Sequence, residues 1–142
     1  MRPINIVVDT NVLVSALRSQ GGASYKLLTL IDNGDFHLNL SVPLFLEYES
    51  VILREIEHLL LDKESVEDIL SYVALVSSKR EIFYLWRPYL KDPKDDLVLE
   101  VAVESKSRII VSYNKRDFSG IDKFGITVLT PKEFLVKRGF LK

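Results

Sequence analysis

Ile4-Asn5-Ile6-Val7-Val8-Asp9-Thr10-Asn11 decides the fold. This β-branched apolar run is too short for a helix and reads as a parallel strand buried on both faces. It ends in a carboxylate, followed at once by the helical stretch Val12 to Leu17, which Ser19-Gln20-Gly21-Gly22 closes. Further outward, the pattern predicts a helix over about Ser24–Asp32 with Asn33-Gly34 as its stop, then a strand at Phe36–Leu40. Ser41 caps a long helix to about Leu61, whose apolar face is Leu44, Tyr48, Val51, Ile52, Ile56 and Leu59. A further amphipathic helix spans Glu64–Ser78, and a third strand is expected at Glu81–Trp86. Asp92-Pro93-Lys94-Asp95 places an N-cap, a proline and an acid at the start of a helix that runs to about Lys106. Strands at Arg108–Ser112 and Thr127–Leu129 follow, and Thr130-Pro131-Lys132-Glu133 opens a last helix ending near Gly139. Strands alternating with helices predict one α/β domain over residues 1–142, with a parallel sheet.

The composition narrows the chemistry. The chain has 142 residues, 47% of them hydrophobic and 27% charged, as in globular proteins. With no cysteine, it can carry no disulfide framework, iron–sulfur cluster or thiolate zinc site. No apolar run reaches the ~20 residues of a membrane span, and the strand-like start leaves no room for a signal peptide, so a cytoplasmic location is expected. There is no GxxxxGK[ST] loop, GxGxxG turn or GxSxG elbow. His37 and His58 sit in a strand and a charged helix and do not form a catalytic pair. The net charge of −1 hides a split: residues 1–104 carry −7 and residues 105–142 carry +6. Two solvated faces account for this, and so does a basic rim beside an acidic site, which a phosphodiester substrate needs.

Four segments deliver acids to one sheet edge. In open parallel sheets, ligands bind beyond the carboxyl ends of the strands, where strand order reverses. Asp9 ends the first strand, although it can also cap the helix behind it. Glu47 lies in the first turns of the long helix, with Glu49 as its rival. Asp92 and Asp95 are accounted for by capping and the helix dipole, which leaves Asp96, with Glu100 four residues on. The last candidates follow the fourth strand in Ser112-Tyr113-Asn114-Lys115-Arg116-Asp117, where Tyr113 is the aromatic suited to base stacking. Clustered carboxylates repel unless a cation neutralises them, and oxygen-only ligands suit Mg²⁺ or Mn²⁺.

These segments resemble the PIN-domain nucleases. Val8 to Leu17, Ser41 through Leu53, Asp92-Pro93-Lys94-Asp95-Asp96 with Leu97 to Ala102, and Ile110 to Phe118 are similar to that family's successive motifs, and Thr130 to Leu135 to a common ending. The likeness is closest to toxins of bacterial and archaeal toxin–antitoxin pairs. It implies a three-layer α/β/α sandwich and divalent-metal-dependent RNA cleavage. Carried over by position, Asp9, Glu47 and Asp96 match the first three acids. At the fourth, Asn114 stands where many members have aspartate, and Asp117 lies one turn further on. Thr10, Asn11, Ser112 and Asn114 then orient the acids or the metal-bound water.

The resulting expectation is a phosphodiesterase with Mg²⁺ or Mn²⁺ on Asp9 and Asp96, and Glu47 or Asp117 as the remaining catalytic or metal-holding carboxylate. Arg18, Lys94, Lys115 and Arg116 guide the RNA. Lys106, Arg108 and Lys123 add to a basic surround of the fourth acidic segment. The alternative is a PIN-like scaffold that binds RNA or protein without cleaving, which the absent acid at Asn114 favours. A phosphotransferase with Asp9 as nucleophile fits poorly, because the haloacid-dehalogenase pattern wants an aspartate where Asn11 stands. Further expected partners are a cognate antitoxin and a second copy, the latter through Leu46, Leu53, Leu60 and Leu61.

Overall fold

The computed structural model describes residues 3–59 and 61–142. Five parallel strands, β1 (Ile4–Val8), β2 (Phe36–Leu40), β3 (Ser78–Lys79), β4 (Ile109–Val111) and β5 (Thr127–Leu129), lie in the order β3-β2-β1-β4-β5. Six helices, α1 (Thr10–Arg18), α2 (Ala23–Thr29), α3 (Val42–Arg54), α4 (Lys63–Val76), α5 (Pro93–Glu104) and α6 (Pro131–Lys137), complete a three-layer α/β/α sandwich. In register, Ile6 pairs with Leu38 on one side and Ile109 on the other, so β1 is the central strand and its Ile6, Val7 and Val8 are all buried. The chain builds outward from β1 to the β3 edge, then returns through α5 to β4. Strand order therefore reverses between β1 and β4, and Asp9 and Ser112 stand side by side at that switch point.

Capping follows the sequence closely. Ser41 accepts from Leu44 N–H, Asp92 from Lys94 N–H, and Thr130 and Glu133 form a reciprocal capping box. Two expected elements differ. The long helix stops at Arg54 rather than near Leu61: the chain turns through Ile56–His58 and tucks Leu59 into the core. The third strand is the two-residue Ser78–Lys79, and Glu81–Trp86 is no strand. The segment after β3 is held by α5 instead. Glu100 accepts from Trp86 N–H and from the Arg87 guanidinium at 2.8–3.0 Å, and Asp96 accepts from Leu90 N–H at 2.9 Å. The N–H groups of Trp86, Tyr89 and Leu90 go to buried carboxylates, not to a strand ladder.

The expected apolar pairing face is also thinner than the pattern suggests. Leu53 and Leu61 pack against the core, Leu46 is exposed, and Leu60 lies outside the described residues. Among the described residues, no helix is long and apolar enough to cross a membrane.

Candidate active site

Asp9 caps α1, with its Oδ1 accepting from Thr10 N–H at 2.8 Å, and its Oδ2 accepts from Ser112 Oγ at 2.7 Å. Each oxygen keeps lone-pair capacity for a further partner. Ser112 is the hub beneath it. Besides donating to Asp9, its Oγ accepts from Asn114 N–H at 3.0 Å and from Asn11 Nδ2 at 3.5 Å. Asn11 Oδ1 in turn accepts from Tyr113 N–H, so α1 and the loop after β4 fix each other. Thr10 and Asn114 contribute main-chain N–H groups here rather than side chains. Ser112→Ala removes the only side-chain donor to Asp9 among the described residues, and any hydrolysis that relies on Asp9 is expected to slow about tenfold or more with the fold retained, as loss of an orienting partner does. Circular dichroism and single-turnover RNA cleavage check both halves.

Two adjacent acids on α5 have opposite fates. Asp96 is 0% exposed and turns to the preceding loop, with Oδ1 on Leu90 N–H and Oδ2 near Tyr89 N–H at 3.4 Å. Glu100, one turn on, shares that loop-holding face. Asp95, one residue earlier and about 100° away around the helix, is buried within electrostatic reach of Asp9. Burial, then the charges of Asp9, Asp117, Asp92 and Asp96, push its carboxyl up to about 7. No hydrogen bond contributes in the opposite direction. Burial also raises Asp9, with Asp117 and Asp92 adding to the effect against the lowering hydrogen bonds of Ser112 and Thr10. Of the two α5 acids, Asp95, which the capping argument had set aside, is the one raised by the Asp9 charge, while Asp96 accepts from the loop before the helix.

The remaining expected residues divide. Asp117 is exposed on the 3-10 turn Lys115–Phe118 and acts electrostatically on both Asp9 and Asp95. Glu47 is held by Lys94 at 3.6 Å and is not among the charges acting on either aspartate. Its neighbour Tyr48 is buried and donates its hydroxyl to Val8 O. Burial first, and then the Asp9 charge, hold that phenol far above its ordinary range. Tyr48, with no titratable role in the sequence reading, thus locks α3 to the end of β1. Tyr113 bonds Ser24 through its hydroxyl while its ring stays 44% exposed.

Three of the four expected RNA-guiding cations carry partners: Arg18 on Glu55 at 2.7 Å, Lys94 on Glu47, and Lys115 on Glu133 at 2.6 Å. Arg116 alone of the four has none among the described residues. Lys106 and Arg108 lie at the opposite end of β4, so the basic third does not form one rim around the acids.

A hard divalent cation fits the donor set of Asp9 and Asp95: oxygen-only, buried, mutually repelling and incompletely hydrogen-bonded. The described residues do not assemble three acid or histidine side chains at metal-ligating spacing, so the fit rests on this pair. Water and substrate oxygens complete such a site for Mg²⁺, which uses few carboxylates.

A family model described as PIN domain matches residues 5–116, from β1 through the turn after β4. The chain belongs to the PIN-domain family, whose members are typically nucleases. A comparison with curated proteins found no match.

Proposed function

We propose that this PIN domain is a metal-dependent endoribonuclease, with Asp9 and Asp95 holding Mg²⁺ or Mn²⁺. The observation that carries the reading is the Asp95 carboxyl, buried in the field of Asp9 and Asp117 with no ion-pair partner among the described residues. A bound divalent ion would supply charge for the developing oxyanion and acidify a bound water. The protein's own groups do the rest. Ser112 and the Thr10 N–H hold Asp9 in one orientation, so its oxygens are placed before substrate arrives. Asp117, exposed and in electrostatic reach of the pair, is the carboxylate free to accept a proton from attacking water. Arg116 is the cation free to meet a phosphate at this end of the sheet.

Mn²⁺ titration followed by thermal unfolding and RNA cleavage tests the reading. At pH 7.5 the ion should raise the Tm of the wild type and support cleavage, and Asp9→Asn should remove both effects. Metal binding must displace the Asp95 proton below pH 7, so apparent Mn²⁺ affinity should fall by up to about tenfold per pH unit from there. No Mn²⁺ response at any pH would leave the scaffold reading, which Asn114 in place of a fourth acid favours. A toxin role, neutralised by a cognate antitoxin, belongs to the same proposal. A small DNA-binding protein encoded immediately upstream would be its genomic counterpart.

A further inference from the structure

We infer that the amino-terminal edge of the sheet carries a second anion site, a cleft for phosphate groups. It opens where β1, β4 and β5 begin, and Ile4, Ile109 and Thr127, the first residue of each strand, line it. Because β1 is five residues long, the cleft lies on the order of 15 Å from Asp9. It goes beyond the catalytic reading and does not depend on cleavage.

Three observations support it. The cleft has a volume of about 550 Å³, and its charged lining is Lys106, Arg108, Lys137 and Arg138, without an acid among the described residues. Arg138 is committed to Asp35 through two contacts of 2.7 and 2.9 Å, but Lys106, Arg108 and Lys137 make no ion pair among the described residues. That contrasts with the active-site end, where most cations are tied to carboxylates.

The second observation is backbone strain. Lys106 ends α5 in the left-handed region, φ 56°, with its N–H on Val103 O and the Ser107 N–H on Ala102 O. Glycine or asparagine ordinarily occupies this position of the motif. A small residue would make the same turn without that cost, and residues held against their backbone preference cluster at functional positions. The third is shape. Gly125, at φ 76° with open space around its α-carbon, lines this cleft and the adjoining hollow behind Lys106 and Arg108, so at that point an anion can approach the main chain without meeting a side chain.

Phosphate chemistry has two sources here, a nucleic-acid backbone and free phosphate, and the test separates them. In EDTA, to prevent cleavage, a fluorescent single-stranded RNA oligonucleotide is titrated at several salt concentrations. In parallel, inorganic phosphate alone is titrated against the amide NMR spectrum. Lys106→Gly removes one cation while relieving the backbone, so it should raise Tm yet weaken anion binding, which no unfolding artefact can imitate. Adding Arg108→Glu and Lys137→Glu should cut oligonucleotide affinity at least tenfold. The log–log salt slope should flatten by about 2, at roughly 0.7 per lost phosphate contact. If oligonucleotide binding is unchanged but phosphate-induced shifts at Lys106–Arg108 vanish in the triple variant, the site takes free phosphate. If neither arm responds to the substitutions, the inference is overturned. Failure of the nuclease reading would appear in the Mn²⁺ experiment and leave these measurements untouched.

Discussion

Asp95→Asn is expected to abolish divalent-metal-dependent cleavage, by roughly a hundredfold or more, while making the metal-free protein more stable. The two effects have one cause. In the fold, Asp95 titrates near 7, against about 3.8 when exposed. Its native-state pKa is raised, so between about pH 4 and 7 the folded protein binds more protons than the unfolded chain. Stability is therefore lost as pH rises through that window, and the deficit persists above it. Asparagine carries no charge to bury, so Asp95→Asn should exceed the wild type at pH 8, by on the order of 1–3 kcal/mol once solvent screening has reduced the effect, and match it near pH 4. Asp96→Asn gives the opposite pattern. Its amide still accepts from Leu90 N–H but sets an NH₂ group against the N–H of Tyr89, at a cost of about 1–2 kcal/mol at either pH. Cleavage should survive better in that protein. Urea unfolding at pH 4 and 8, with cleavage assays on both variants, decides the matter. A dead Asp96→Asn beside an active Asp95→Asn would restore the assignment made from the motif.

Glu100→Ala is expected to cost more stability than any change at the active site, about 3–5 kcal/mol. Glu100 is 2% exposed and accepts from the Nε–H and Nη2–H of the Arg87 guanidinium and from Trp86 N–H. Removing one partner of such a pair strands the others, which is where the large penalty of a broken buried ion pair arises. Arg87 is partly exposed and can rehydrate once its acid is gone, so the lower end of the range applies. Arg87→Ala leaves the carboxylate itself buried without its cation, and should cost at least as much. A double-mutant cycle in urea should return a coupling above about 1 kcal/mol. Additive costs would mean that the contact does not hold the 86–90 segment to α5. The same segment receives Asp96, so its loosening should also reach the start of α5 and slow cleavage.

The division between sequence and structure follows from range. Local signals sufficed wherever the physics is local. The β-branched apolar run of β1, the caps at Ser41, Asp92 and Thr130, and the proline at the start of α5 act within a few residues, and each of these elements begins close to where its pattern put it. They also fixed the parallel α/β class, since strands alternating with helices can close a core in few other ways. That Asp9 would stand at the switch point followed as well, because a carboxylate ending the central strand has nowhere else to face.

What the sequence could not decide was rotation and range. Asp95 and Asp96 are neighbours in the chain, and both suit the first turn of a helix. Only the roll of α5 against β1 and β4 puts one in the field of Asp9 and hands the other to the Leu90 N–H. The clue available beforehand was the pair Asp96 and Glu100, four residues apart, with Arg87 upstream, but nothing local says that the intervening chain folds back onto them. For the same reason Glu81–Trp86 resembled a strand, although the buried Glu100 carboxylate takes its terminal N–H. Charge behaved likewise. Composition located six net positive charges in the last third of the chain, but the three-residue strand β4 separates Lys106 and Arg108 at one end of the sheet from Lys115 and Arg116 at the other. Which cations are free was settled by partners distant in sequence: Glu133 for Lys115, Glu47 for Lys94 and Glu55 for Arg18. Ion pairs of that range depend on side chains meeting in space, and no pattern along a single chain records where they meet.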